Sequence, residues 1–185
     1  MKKLRIISGI LKSRKLLFPC TIKELRPTCD RVRETLFNWL MADIADSNCL
    51  DAFAGSGALG FEAISRGAKH CVFIEKSKIA VKALQENKDN LGIDNIDIIQ
   101  ADALRYLRNY TDYNIIFLDP PFTTKLLVDA LNIIYSNVNI GADTLIYIES
   151  SRSLNLEVIM PRFTVLKHSI YGDVLFAIVK GRERA

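Results

Sequence analysis

Apolar residues recur along this chain with two different periods, and the switches between them predict most of its elements. Short apolar segments at Arg5 to Ile10 and Lys15 to Phe18 enclose Ser8, Gly9 and the charged Lys12-Ser13-Arg14 cluster, a pattern that predicts a small basic hairpin. From Thr28 or Asp30, either of which can cap a helix, Val32, Leu36, Trp39 and Leu40 recur at helical spacing while Arg31, Glu34 and Asn38 share another side. Beyond that helix, short apolar runs alternate with longer helical patterns. Strands are predicted near Cys49 to Phe53, His70 to Ile74, Ile96 to Gln100, Asn114 to Leu118 and Thr144 to Ile148. Between them lie a helix ending at Arg66 before Gly67, one over Lys78 to Leu91 before Gly92, a short one ending at Arg108 and one over Lys125 to Val138. Such alternation marks an α/β fold with a parallel sheet covered on both faces. The tail departs from it: Phe163 to Ile170 and Val174 to Val179 flank Tyr171-Gly172-Asp173 and predict an antiparallel pair closing one edge.

At 185 residues, 49% hydrophobic and 25% charged, the chain fits one globular domain and excludes a disordered one. A basic arm over 1–27 and a catalytic or binding core over 28–185 are its expected parts. The longest charge-free stretch, Ala130 to Ala142, is too short to cross a bilayer, and the apolar run Ile6 to Leu11 is too short for a secretory signal, so the expected residence is cytoplasmic. Cys20, Cys29, Cys49 and Cys71 form no Cys-x-x-Cys pair, and His70 and His168 are not spaced to complete a metal site. Reduced packing cysteines, structural histidines and no metal are therefore expected. Chemistry then falls to carboxylates, backbone groups or a bound cofactor.

Charge sharpens the division of the chain. Residues 1–40 hold ten Lys and Arg against three acidic residues, a balance of +7, while the remainder balances at −3. A positive excess confined to one end suggests an arm that faces nucleic acid, since clustered Lys and Arg neutralise phosphates and release counterions.

The segment Asp51-Ala-Phe53-Ala-Gly55-Ser56-Gly57-Ala-Leu-Gly60 stands between the first sheet strand and a helix, and Glu75 ends the next strand. Glycines let backbone turn tightly beneath a ligand, and a carboxylate at the second strand end can accept from two ribose hydroxyls. Both NAD and S-adenosylmethionine use such a loop. A dinucleotide would bring a pyrophosphate towards Asp51 with no Lys or Arg in the loop to compensate, whereas S-adenosylmethionine brings a sulfonium and an ammonium. The charge therefore favours S-adenosylmethionine. Asp102, after the third strand, is placed to accept from an adenine amino group with Ala103 offering its backbone N–H, and can also cap the next helix.

The fourth strand delivers Asp119-Pro120-Pro121-Phe122 to the carboxyl edge of the sheet, where Glu75, Asp102 and Glu149 also fall. An exocyclic base amine is a poor nucleophile because its lone pair is delocalised. Two acceptors, the Asp119 carboxylate and a proline carbonyl, could bind its N–H groups and aim the nitrogen at a methyl carbon, with Phe122 stacked on the base.

At these residues the chain resembles the class I S-adenosylmethionine-dependent methyltransferases, and specifically the bacterial small-subunit ribosomal RNA guanine-N2 methyltransferase family. The resemblance runs over nearly the full length: Arg5-Ile-Ile-Ser-Gly9, Arg26-Pro27-Thr28 followed by Asp30-Arg31-Val32-Arg33-Glu34-Thr35-Leu36-Phe37-Asn38, the glycine loop, and Asp119-Pro120-Pro121-Phe122. It implies a Rossmann-like, seven-stranded, mostly parallel sheet with an antiparallel last strand and an N-terminal β-hairpin extension. It also implies methylation of one guanine of 16S rRNA, with the small ribosomal subunit or its assembly intermediate as partner, by a monomer that needs neither metal nor membrane.

On this reading Asp51, Gly55, Ser56 and Gly57 hold the methionine portion of the cofactor and Glu75 its ribose. Asp102, Ala103 and Leu104 hold the adenine, with Phe53 and Lys76 also among the cofactor positions. Asp119, Pro120, Pro121 and Phe122 are the catalytic set. Lys12, Arg14, Lys15, Arg26, Thr28 and Arg33 are assigned to RNA, although the last three could instead line the cleft or lock the helix to the sheet. The rival readings are a DNA adenine-N6 methyltransferase, which usually carries a target-recognition insertion for which this chain has no spare segment, a non-catalytic RNA-binding ribosome assembly factor, and an NAD-dependent oxidoreductase.

Overall fold

A computed structural model describes residues 2–19, 29–109, 112–137 and 143–182. The chain opens with β1 (Lys2–Arg5) and β2 (Lys15–Phe18), an antiparallel hairpin, followed by α1 (Asp30–Trp39). Then come β3 (Asn48–Asp51), α2 (Ala58–Ser65), β4 (His70–Glu75), α3 (Lys78–Leu91), β5 (Ile96–Gln100), α4 (Ala103–Leu107), β6 (Ile115–Leu118), α5 (Leu126–Ser136) and β7 (Leu145–Ser151). A 3-10 turn, Leu156–Val158, leads into β8 (Phe163–Tyr171) and β9 (Val174–Gly181).

β3 to β9 form one sheet in the order β5-β4-β3-β6-β7-β9-β8. β5, β4, β3, β6 and β7 are mutually parallel, and β9 runs antiparallel to both β7 and β8. This is the Rossmann-like α/β fold with its antiparallel edge pair. The chain winds outward from β3 to β5, then returns to lay β6 on the other side of β3. A sheet that reverses direction in this way leaves a crevice outside the carboxyl ends of the two strands where it turns. Here those strands are β3 and β6.

Each face of the sheet has its own core. Alternate residues Cys49, Cys71, Phe73, Phe117, Tyr147 and Phe176 pack beneath α1, α2, α3 and the hairpin residues Ile6, Leu11 and Leu16. The intervening set, including Leu50, Val72, Ile116, Leu118 and Ile148, packs against α4 and α5. At the outer edge β8 carries a bulge between Val165 and Lys167.

The hairpin differs from its expected form. Ile6 to Ile10 are not strand: the N–H groups of Ile7 and Ser8 donate to the Glu62 carboxylate at 2.8 and 3.0 Å, and the Ile10 N–H donates to the Ser65 carbonyl at 2.7 Å. Ile6 still bonds across the hairpin, its N–H donating to the Arg14 carbonyl at 3.0 Å, but Ile7, Ser8 and Ile10, with their donors engaged by α2, turn away from β2. Gly9 has φ +83°, and a Cβ there would stand 1.7 Å from the Ser65 carbonyl oxygen. The hairpin loop is thus seated directly on the C-terminal turn of α2.

The helix cap is also corrected. Cys29 is the N-cap of α1 without a side-chain hydrogen bond, and Asp30 instead pairs with Arg33 at 2.6 Å. Cys49 and Cys71 are buried packing residues as expected, but Cys29 is exposed, because the cap position lies at the molecular surface. Thr28, Arg26 and Cys20 lie outside the described residues.

Candidate active site

The carboxyl ends of β4, β3, β6 and β7 bring Glu75, Asp51, Asp119 and Glu149 along one rim. The register explains the convergence: Asp51 lies opposite Phe73 and Phe117, and Leu118 lies opposite Ile148, so Glu75, Asp119 and Glu149 each stand just beyond a paired position.

Between β3 and α2 the glycine loop crosses this rim. Gly57 is the N-cap of α2 at φ +78°, in the left-handed region that side chains avoid. Asp51, only 2% exposed, accepts from the Gly60 N–H at 3.0 Å and so ties the strand end to the first turn of the helix. Burial, opposed by that hydrogen bond and reinforced by the nearby Glu75 charge, pushes its carboxyl up to about 7. The Asp51 side chain thus lies beneath the loop, with one oxygen committed to the Gly60 N–H. Glu75 fastens the other side: its Oε2 accepts from the Gly55 N–H at 2.9 Å and its Oε1 from the Ser77 N–H at 2.6 Å. Ser56 is buried in the loop and Phe53 is half-buried beside it.

Asp102 is the N-cap of α4, accepting from the Arg105 N–H at 3.0 Å, and its second oxygen is 3.9 Å from Lys76 Nζ. Ala103 is buried and Leu104 half-buried behind it. Asp119 is half-buried, Pro120 is buried, and Phe122 is 42% exposed at the mouth of the crevice. The Pro121 carbonyl accepts from both the N–H and Oγ1 of Thr124, at 3.2 and 2.7 Å, which closes the turn after the motif. Among the described residues no group of three or more His, Cys, Asp and Glu could hold a metal ion, and no helix is long and apolar enough to cross a membrane.

Lys12, Arg14 and Lys15 are exposed on the docked hairpin, and Arg14 Nη2 donates to the Asn90 carbonyl at 2.8 Å. Arg33 does not join them. It is 0% exposed, donates from Nη2 to the Arg5 carbonyl and to Asp30, and sets Nη1 3.6 Å from Glu62. Its assignment to RNA is therefore corrected: a guanidinium enclosed between hairpin, α1 and α2 locks those elements together.

Two groups escaped the sequence reading. Glu62 and Ser65 dock the hairpin from α2, a helix with every residue buried. A lone glutamate in such a run signals an enclosed ion pair, because a buried charge persists only with partners. The second is Tyr147, whose hydroxyl donates to the Glu149 already placed on the rim, and the alternate spacing of the two on one strand was the available sign.

The chain matches the family model described as Conserved hypothetical protein 95 over residues 4–180. It belongs to this family. Similar members include "Ribosomal RNA small subunit methyltransferase D" of Escherichia coli (strain K12), 39% identical over 177 residues, covering 95% of this chain and 89% of that one. The protein of the same name from Haemophilus influenzae is 40% identical over 182 residues, covering 95% and 93%. "Putative rRNA methyltransferase YlbH" of Bacillus subtilis is 33% identical over 184 residues, covering 97% and 100%. Among solved structures, "Putative methyltransferase yhhF" from Escherichia coli superposes with a TM-score of 0.89 at 38% identity, covering 99% of this chain and all of that one. The family fold thus extends through the hairpin, the glycine loop and the Asp119 turn.

Proposed function

We propose that this rRNA methyltransferase transfers the methyl group of S-adenosylmethionine to the exocyclic N2 amine of one guanine in 16S rRNA. The observation that carries the proposal is the meeting, at the β3/β6 crevice, of a glycine loop held by Asp51 and Glu75 with the half-buried Asp119 and the exposed Phe122 ring. The donor set fits the cofactor: Asp51 is desolvated beside a like charge, and a cation above the loop relieves what a pyrophosphate would worsen. When bound, the cofactor supplies an electrophilic methyl on a sulfonium.

Each residue then has a task. Gly55, Ser56 and Gly57 present backbone to the methionine portion, Glu75 faces the ribose, and Asp102, Ala103 and Leu104 bound the adenine with Phe53 and Lys76 at its margins. The target base stacks on Phe122 after leaving its RNA neighbours. Asp119 accepts one N–H of the amine. The Pro121 carbonyl is committed to Thr124, so the second acceptor is the Pro120 carbonyl, held rigid by the proline ring. Positioning supplies most of the acceleration, and the departing amine proton passes to Asp119 or water.

The exposed Lys12, Arg14 and Lys15 bind phosphates of the small subunit or its assembly intermediate, and Arg26 and Thr28 lie in the segment leading from this arm into α1. The enzyme works as a cytoplasmic monomer without a metal. Incubating the protein with labelled S-adenosylmethionine and undermethylated small subunits, then digesting the rRNA to nucleosides, tests the reading. N2-methylguanosine in 16S rRNA is the expected product. Label in N6-methyladenosine of DNA, or none anywhere, overturns it.

A further inference from the structure

Phe122 and Tyr171 are the exposed Phe, Tyr or Trp rings among the described residues, and the topology carries both to the carboxyl end of the sheet. Phe122 follows β6 at the crevice. Tyr171 ends β8, and its height there follows from register. β6 leaves the sheet where Leu118 pairs with Ile148, but β7 continues through Glu149, Ser150 and Ser151 against Phe176, Leu175 and Val174. Tyr171 lies opposite that same Val174. The added residues raise this edge about 10 Å beyond the end of β6, and the strand spacings from β6 across β7 and β9 to β8 set it about 14 Å to one side. At the top, the Arg152 N–H donates to the Asp173 carbonyl at 2.8 Å and ties β7 to the β8–β9 turn. The crevice therefore has a wall, with Tyr171 at its crest.

The first turn of α1 leans on this wall, where the Arg31 guanidinium carbon stands 5.2 Å over the centre of the Tyr171 ring. Burial, then Glu149 and Asp119, and last Cys29 hold the Tyr147 hydroxyl well above the usual phenol range, so the N-cap of α1 lies over the same rim. Arg31 is exposed and, among the described residues, pairs with no carboxylate, the neighbouring Asp30 being engaged by Arg33. A cation in the first turn opposes the helix dipole, so helix stability does not account for it. A guanidinium stacked by one face on a ring can take a further planar group on the other. Glu34 and Asp173, exposed to either side, would repel a phosphate, whereas a neutral base is indifferent to them. We infer that the Arg31–Tyr171 stack is a platform for a nucleobase flanking the target guanine, holding the RNA strand while the target base enters the crevice beside Phe122. This rests on the rRNA guanine reading above.

The test uses undermethylated small subunits with all bases present and others with an abasic site at a nucleotide flanking the target on either side. Filter retention gives their affinity for the enzyme. On the intact particle Tyr171→Ala and Arg31→Ala are each expected to weaken binding about tenfold, while calorimetric affinity for S-adenosylmethionine changes less than about twofold. Arg31→Lys keeps the charge but loses the plane, and is expected to stay several-fold weak. At one flanking position the abasic site should weaken the wild-type enzyme about as much as either Ala variant and add nothing to the variants, as for one shared contact. Unchanged affinity in both Ala variants overturns the inference. So do abasic losses that are equal in wild type and variants at every flanking position, which would assign the wall to a phosphate or a ribosomal protein. Binding is read without methyl transfer, so an enzyme that meets these expectations yet forms no N2-methylguanosine fails the parent reading alone. If Tyr171→Ala alters the circular dichroism spectrum, Tyr171→Leu keeps the bulk and removes the ring. It is expected to show the same loss, and wild-type affinity in it overturns the inference.

Discussion

Two regions of this molecule bury carboxylates, and they treat them in opposite ways. Beneath the hairpin, Glu62 is 0% exposed and is surrounded by donors: the Ile7 and Ser8 N–H groups, Arg66 Nε at 2.8 Å and Arg33 at 3.6 Å. At the rim, Asp51 is almost as deeply enclosed but faces Glu75, and its carboxyl rises to about 7. Compensated burial makes a rigid joint. Burial against a like charge holds negative potential in reserve, and that potential is released when a cationic ligand arrives.

The contrast can be broken from either side. The largest expected effect is at the rim: Asp119→Ala lowers single-turnover methyl transfer about a thousandfold and leaves the calorimetric affinity for S-adenosylmethionine nearly unchanged. At the joint, Glu62→Gln leaves Asp30 as the remaining ionic partner of the buried Arg33, weakens the bonds from the Ile7 and Ser8 N–H groups, and costs about 1–3 kcal/mol in urea unfolding, with the residual activity of the folded fraction retained. A value near zero would mean that the joint is no ion-pair lock. Gly9→Ala is expected to cost about 1–3 kcal/mol, because the new methyl must displace the Ser65 carbonyl from a backbone already at φ +83°. Weakened rRNA binding should accompany it, since the basic loop loses its seat.

Smaller effects follow from the exposed charges and from Asp51. Replacing Lys12, Arg14 and Lys15 with Ala should reduce the slope of log affinity against log salt by about one for each phosphate that is no longer neutralised. An unchanged slope assigns those side chains to solvent. Cofactor affinity should rise several-fold between about pH 6 and pH 8 as Asp51 ionises, a rise that Asp51→Asn removes in a calorimetric titration. The folding consequence has the opposite sign. The folded protein holds this proton more tightly than the unfolded chain, so the contribution of Asp51 to stability is full below about 3.8 and is lost as pH rises through about 7.

Much of the fold is legible in the sequence. The α3 and β5 boundaries are readable in the sequence, since Ser77 and Gly92 punctuate one and the isoleucines Ile96, Ile98 and Ile99 mark the other. The glycine loop and Asp119-Pro120-Pro121-Phe122 could be read because their chemistry is local: tight turns and rigid carbonyls are written in consecutive residues. What escaped was written across the fold. Arg33 looks like an RNA ligand in a basic segment until α2 brings Glu62 beside it, 29 positions away. Ile7, Ser8 and Ile10 look like strand until Glu62 and Ser65 claim their N–H groups.

The bulge in β8 has a consequence far from the chemistry. β8 is the outermost strand of the seven-stranded sheet, and open edges invite other chains to add on by main-chain pairing. By displacing Leu166 from the ladder and setting Lys167 and His168 beside it, the irregularity spoils that template. The long outer strand is thereby shielded from main-chain pairing with other copies of this chain.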